Sequence, residues 1–163
     1  MGTPAATQIL DAIGLRLVLP TTARGYNTTI AVVERARVTP FRDFDIPAVN
    51  YWADADAVVD AGAGWSEHEV SIIIDARTHT RDRPFVDVAF ELGTDLWIAL
   101  WRAPAAPAVS DQPSMRLGGI VNSFALASMV PAIGEGQSPF CGVLLSIIAT
   151  YRVRPTAPYT LIT

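Results

Sequence analysis

The chain has 163 residues, half of them hydrophobic and 17% charged, enough to bury roughly 70% of its unfolded surface and too apolar for a disordered chain. A net charge of −4 and a pI near 5.0 argue against a general nucleic-acid binder, and a single cysteine, Cys141, excludes an internal disulfide and a cysteine-based metal cluster. No apolar run reaches the ~18–20 residues of a bilayer span, and residues 1–7 lack the basic region and apolar stretch of a secretion signal, so the expectation is a protein made and kept in a cytoplasm.

Residues Pro4 to Leu19 read as a first helix. Ile9, Ile13 and Leu17 lie four apart with Leu10 beside them, while Gln8, Asp11 and Arg16 point elsewhere. Pro4 suits a first-turn position, Pro20 stops the helix, and Gly14 marks close packing. Ile30 to Val38 reads as a strand, followed by a charged loop at Arg42–Asp45. The residue before Pro47 is pushed towards extended geometry, so the next strand starts near Ala48. Residues 54–64, rich in Ala, Asp and Gly, read as a flexible loop or a long hairpin tip between antiparallel strands.

The centre of the chain runs from Gly64 to Arg102. Its first half is a strand with Val70, Ile72 and Ile74 on one face and Glu69, Ser71, Ile73 and Asp75 on the other. After a charged turn, the second half is a helix. Val86, Ala89, Phe90, Gly93, Leu96, Trp97 and Leu100 form its apolar stripe, with Asp87, Glu91 and Asp95 off it. A Pro-rich connection follows at 103–114, then a weak strand at Gly119–Val130 and a turn at Gly134–Pro139. A strong final strand alternates Val143, Leu145, Ile147, Ala149, Tyr151 and Val153 with Leu144, Ser146, Ile148, Thr150 and Arg152. The tail, residues 155–163, is extended and outside the core. This order predicts one α+β domain, a mostly antiparallel sheet of about four or five strands with two helices packed on one side.

No phosphate loop, paired-cysteine motif or Gly-x-Ser-x-Gly pattern occurs. His68 and His79, with Glu67, Glu69 and Asp75 nearby, suggest a two-histidine, one-carboxylate metal site. On a regular strand, however, His68 and Asp75 face opposite sides about 23 Å apart, so solvated surface is the better reading and no metal or other cofactor is expected. Cys141 reads as a buried inert thiol, and Asp54-Ala-Asp56 as loop polarity rather than a calcium loop. The turn Arg77-Thr-His-Thr-Arg-Asp-Arg83 holds three arginines in seven residues. It is either a solvated turn or a place where Arg77, Arg81, Asp82 and Arg83 meet phosphate or a neighbouring subunit. Trp97 suits core packing, and Trp101, near the helix end, is a candidate partner anchor. All twelve basic residues are arginine. A GC-rich genome explains this, and arginine's planar fork also suits intersubunit ion pairs. A mean hydropathy of +0.30 fits apolar surface covered by another subunit.

The succession of an N-terminal helix, Gly25-Tyr26, a strand, the segment Ile46-Pro-Ala-Val-Asn-Tyr-Trp52, the strand Glu69-Val-Ser-Ile-Ile-Ile-Asp75, a helix from Asp82 to Trp101 and a last strand through Leu145–Tyr151 resembles the tail terminator (tail completion) proteins of long-tailed, lambda-like bacteriophages. The resemblance spans about residues 5 to 154 and rests on element order and one proline-containing segment. It implies a non-enzymatic α+β subunit of a ring, a hexamer in the family. Such a ring caps the tail tube, ends its polymerisation and offers a surface to the head. The implied partners are further copies of the chain, the tail tube protein and a head-completion or neck protein, with DNA passing through the ring and no membrane contact. The implied location is the head–tail junction of the virion, after assembly in the host cytoplasm. Residues 54–64 and 103–114 depart from the family pattern. Another neck or head–tail joining protein is the alternative, and a small enzyme or ligand-binding domain a more distant one.

Overall fold

Strict alternation of branched residues makes the last long segment a strand, and the sheet is built around it. The computed structural model describes residues 2–80, 82–102, 116–133 and 140–162. In chain order it contains α1 (Ala5–Leu17), β1 (Val32–Arg35), β2 (Ala48–Gly62), β3 (Trp65–His79), α2 (Phe85–Trp101), β4 (Ser123–Ile133), β5 (Phe140–Arg154) and β6 (Ala157–Ile162). The sheet order is β1-β2-β3-β5-β4, with β6 pairing the end of β5. The class is α+β, as the element order predicts. Two features of the sheet differ from expectation. It has six strands among the described residues, and it is mixed, because β1 runs parallel to β2 while the other pairings are antiparallel. The connection between β1 and β2, residues 36–47, turns at the positive φ of Ala36 and carries a short 3-10 turn at Asp43–Asp45. It is long enough to return the chain to the end where β1 began.

The register decides which face is the core. Tyr51, Ile74, Leu145 and Met129 are successive cross-strand partners, so they share one face. That face carries the fully buried Val49, Val70, Ile72, Val143 and Ile147. Burying each such side chain contributes about 1.5–3 kcal/mol. Both helices lie on this face. Gly14 brings α1 against the Tyr51 hydroxyl, and Gly93 brings α2 against Met129 and Val143. A Cβ at Gly14 would meet the Tyr51 oxygen in overlap, so the glycine permits the close approach the sequence suggested.

Several local expectations are corrected. The buried side of α2 is Val88, Ala89, Leu92, Gly93, Asp95, Leu96, Ala99 and Leu100. Phe90 is 43% exposed and Val86 37%, whereas Asp95 is 2% exposed. The helix is apolar around most of its circumference, so periodicity alone misplaces the stripe by part of a turn. Arg16 is buried, its guanidinium donating to the Ala12 carbonyl at 2.9 Å. Its long apolar stem permits this. Of the two readings for residues 54–64, the hairpin tip between antiparallel strands is the one present, not the flexible loop: β2 continues to Gly62, and Ala63 and Gly64 turn the hairpin. Ladder bonds to β3 override the weak strand preference of Ala, Asp and Gly there. The tail is extended but belongs to the sheet as β6, with Leu161 packed against the core. The Pro-rich connection at 103–114 and the Gly134–Pro139 turn lie outside the described residues.

Candidate interaction surface

The turn joining β3 to α2 is built by local bonds. The Arg83 amide donates to the Thr80 carbonyl at 3.0 Å, Asp82 takes a positive φ of 63°, and the amides of Asp87 and Val88 close the first helical turn on the Pro84 carbonyl. Arg83 then reaches along the helix and grips Glu91 through both carboxylate oxygens, at 2.8 and 2.5 Å. These bonds, ahead of the bare charge attraction, hold the Glu91 carboxyl below its ordinary range and the Arg83 guanidinium above its own. The pair borders an open hollow of about 560 Å³ lined by threonines of the turn and of residues 22–29. Two of the lining residues are tied to α2 by Asp95, which accepts from the Thr28 amide (2.9 Å) and the Asn27 side chain (3.1 Å). Burial pushes its carboxyl up, and those bonds only partly oppose the shift.

The other nominated residues separate. Arg77 lies on the sheet face opposite the helices, paired with Asp75 at 3.3 Å. It borders a smaller hollow of about 220 Å³ with Arg37, Phe41 and Asn50. Arg77 and Arg83 therefore serve different recesses. Trp101 stands at the far end of α2, about 24 Å from its start at 1.5 Å per residue. It is half-buried, edge-on to Trp97 at 5.1 Å and to Phe124 at 6.1 Å, while Trp97 stacks on Phe124 at 5.9 Å. The tryptophan is thus part of an aromatic cluster. Arg81 lies outside the described residues. His68 and His79, eleven residues apart on one strand, stand about 36 Å apart. Among the described residues, no three His, Cys, Asp or Glu side chains are grouped to hold a metal ion. Cys141 is buried, and burial raises its thiol.

Sequence reasoning missed one surface, the sheet face without helices. Trp52 and Ile73 are cross-strand partners there, as are Leu144 and Val130. Ile148 joins them, and among the described residues the connection after β1 crosses this face, where the Arg37 amide donates to Asn50. Val130 is 54% exposed. The signal was present in Ile73 and Leu144, apolar residues at outward positions of alternating strands. Beside this face runs the outer half of β2, residues 53–62, all exposed and, among the described residues, paired on one side only, since β1 covers just residues 48–51. A long unpaired strand edge is a template for another strand. No helix among the described residues is long and apolar enough to cross a membrane.

No protein-family model matches the chain, and no curated protein matches it. Among solved structures the chain is similar to a chain of the virion of a native gene transfer agent (GTA) particle. The TM-score is 0.50 and the identity 14%, over 86% of this chain and 91% of that one. At that identity the shared property is the fold, nearly end to end in both chains.

Proposed function

We propose that this chain is a structural subunit of a phage-type virion, and more specifically a tail terminator. In this reading copies of the chain close into a ring on the finished tail tube, end its polymerisation and present a surface to a head-completion or neck protein. The supporting observation is the fold shared over 86% of the chain with a component of a gene transfer agent virion. The surfaces agree with that role. A helix-free sheet face carrying Ile73, Leu144 and Val130 and a long strand edge suit contacts between copies, and a head-to-tail contact must close into a ring or it generates filaments. Arg77 and Arg83, with side chains 50% and 52% exposed, together with Arg81 and Asp82, are the residues assigned to subunit or tube contacts. Trp101, half-buried at the far end of α2, is the fifth residue assigned to such contacts. The ring size is six, the number carried by the terminator family.

The test is a tube-assembly reaction followed by electron microscopy. Adding the purified chain to polymerising tail-tube protein should cap the tubes and narrow their length distribution. Unrestricted growth with no bound rings contradicts terminator function. Unchanged tube length together with restored joining of heads to tails would reassign the chain to a neck or head–tail joining role.

A further inference from the structure

A second feature lies on the helix-side face near the tip of the β2–β3 hairpin. Ser66 and His68 are two apart on β3 and so project to the same side. Asp56 would project to the opposite face if β2 kept its early register, in which Asn50 pairs with Asp75. A register shift between Ala53 and Ala55 turns it over, so that Asp56 pairs with Val70 on the core side. Bulges re-aim side chains in this way. The result is a chain of contacts: Ser66 Oγ lies 3.1 Å from His68 Nε2, and His68 Nδ1 lies 3.2 Å from Asp56 Oδ1. The second Asp56 oxygen accepts the Tyr151 hydroxyl at 2.6 Å, and the Tyr151 ring stacks on the imidazole at 5.0 Å. A carboxylate can only accept, so the ring proton belongs on Nδ1 and Nε2 offers its lone pair to the serine hydroxyl. Nucleophile, base and orienting acid thus stand in the order that activates a serine, a constellation identified by geometry rather than sequence position.

We propose that Ser66, His68 and Asp56 form a nucleophilic serine site that cleaves small activated carboxylic esters. The side chains of His68 and Asp56 keep 21% and 36% exposure. Val58, the cross-strand partner of His68, is 60% exposed and offers an apolar bed for a short acyl group. In the reaction Ser66 Oγ attacks the ester carbonyl carbon and its proton passes to Nε2. The carbon–alkoxy bond breaks, and the proton leaves with the alcohol. Water, deprotonated by the same nitrogen, then attacks the acyl-serine, releasing the carboxylic acid and restoring the hydroxyl. Ser66 sits in the ladder between Ala61 and Val153, and the Ala61 amide is taken by the Asp60 carboxylate at 2.8 Å, so strand backbone surrounds the serine and no oxyanion hole is built among the described residues. Substrates are therefore esters with good leaving groups rather than amides. The site is independent of the virion reading.

The purified full chain should be treated with a biotinylated fluorophosphonate and with p-nitrophenyl acetate at neutral pH. One phosphonyl adduct, mapped by mass spectrometry to Ser66 and absent from urea-unfolded protein, is expected. The labelling rate should fall about 100-fold in His68→Gln, the size of a lost general base. p-Nitrophenolate release should drop to the solution rate in Ser66→Ala, which removes a single oxygen and serves as the folded blank if His68→Gln melts early. No adduct on Ser66, labelling scattered over other hydroxyls, or equal ester cleavage by wild type and Ser66→Ala would overturn the proposal.

Discussion

Replacing Asp95 tests how α2 is joined to the segment after α1. The carboxylate is 2% exposed and accepts from the Thr28 amide and the Asn27 side chain. Asp95→Ala removes both acceptors. Hydrogen bonds to a charged group are worth about 1.5–3 kcal/mol each, but the substitution also relieves the cost of burying a charge, so the expected net loss is about 2 kcal/mol. For a chain of this length that lowers the melting temperature by about 4–8 °C. Asp95→Asn keeps an oxygen for Thr28 and carries no charge to bury. The native carboxyl is raised above its ordinary 3.8, chiefly by burial, so the folded state holds this proton more tightly than the unfolded chain. Its contribution is fully present below the unfolded value and is lost as pH rises through the native one. Asp95→Asn should therefore equal or slightly exceed wild type near pH 7 and lose less stability between about pH 4 and pH 7. Circular-dichroism melts across that range read both effects. An alanine variant as stable as wild type, or an asparagine variant with the wild-type pH slope, would refute the reasoning.

Other outcomes follow from the packing. Ile72→Ala, at a fully buried position, should cost about 2–5 kcal/mol in denaturant unfolding. Gly14→Ala should destabilise by about 1–3 kcal/mol through overlap with Tyr51, and by less in a Tyr51→Phe background, a coupling that a double-mutant cycle measures. Arg83→Ala, at an exposed pair, should leave the melt unchanged. Sedimentation should nevertheless show weaker self-association if the turn meets a neighbouring copy.

The sequence made the sheet's centre legible because the buried positions of β3 and β5 alternate: Val70, Ile72 and Ile74, and Val143, Leu145, Ile147, Ala149, Tyr151 and Val153, all fall on the buried face. It was less informative where a second physical effect decides. In α2, Leu92 and Ala99 make a stripe as apolar as the one containing Phe90, and only packing on β5 and β4 selects between them. The outer half of β2 lacks strand-forming composition and owes its shape to pairing with β3. The direction of β1 depends on how its connection crosses the sheet, which no local pattern encodes. For the surface, the Arg77–Arg83 turn was visible as a charge run, yet its arginines divide between two recesses. The Asp56–His68 contact, twelve residues apart in sequence, needs a hairpin bulge that residue types do not announce.

Position in the particle is tested most directly by localisation. A tagged copy of the chain, incorporated into assembled virions and marked with gold, should appear as one cluster at the head–tail junction. Deleting its gene should leave tails of uncontrolled length without heads. Gold along the tube or at the distal tip, or particles with normal tails in the deletion, would contradict the assignment.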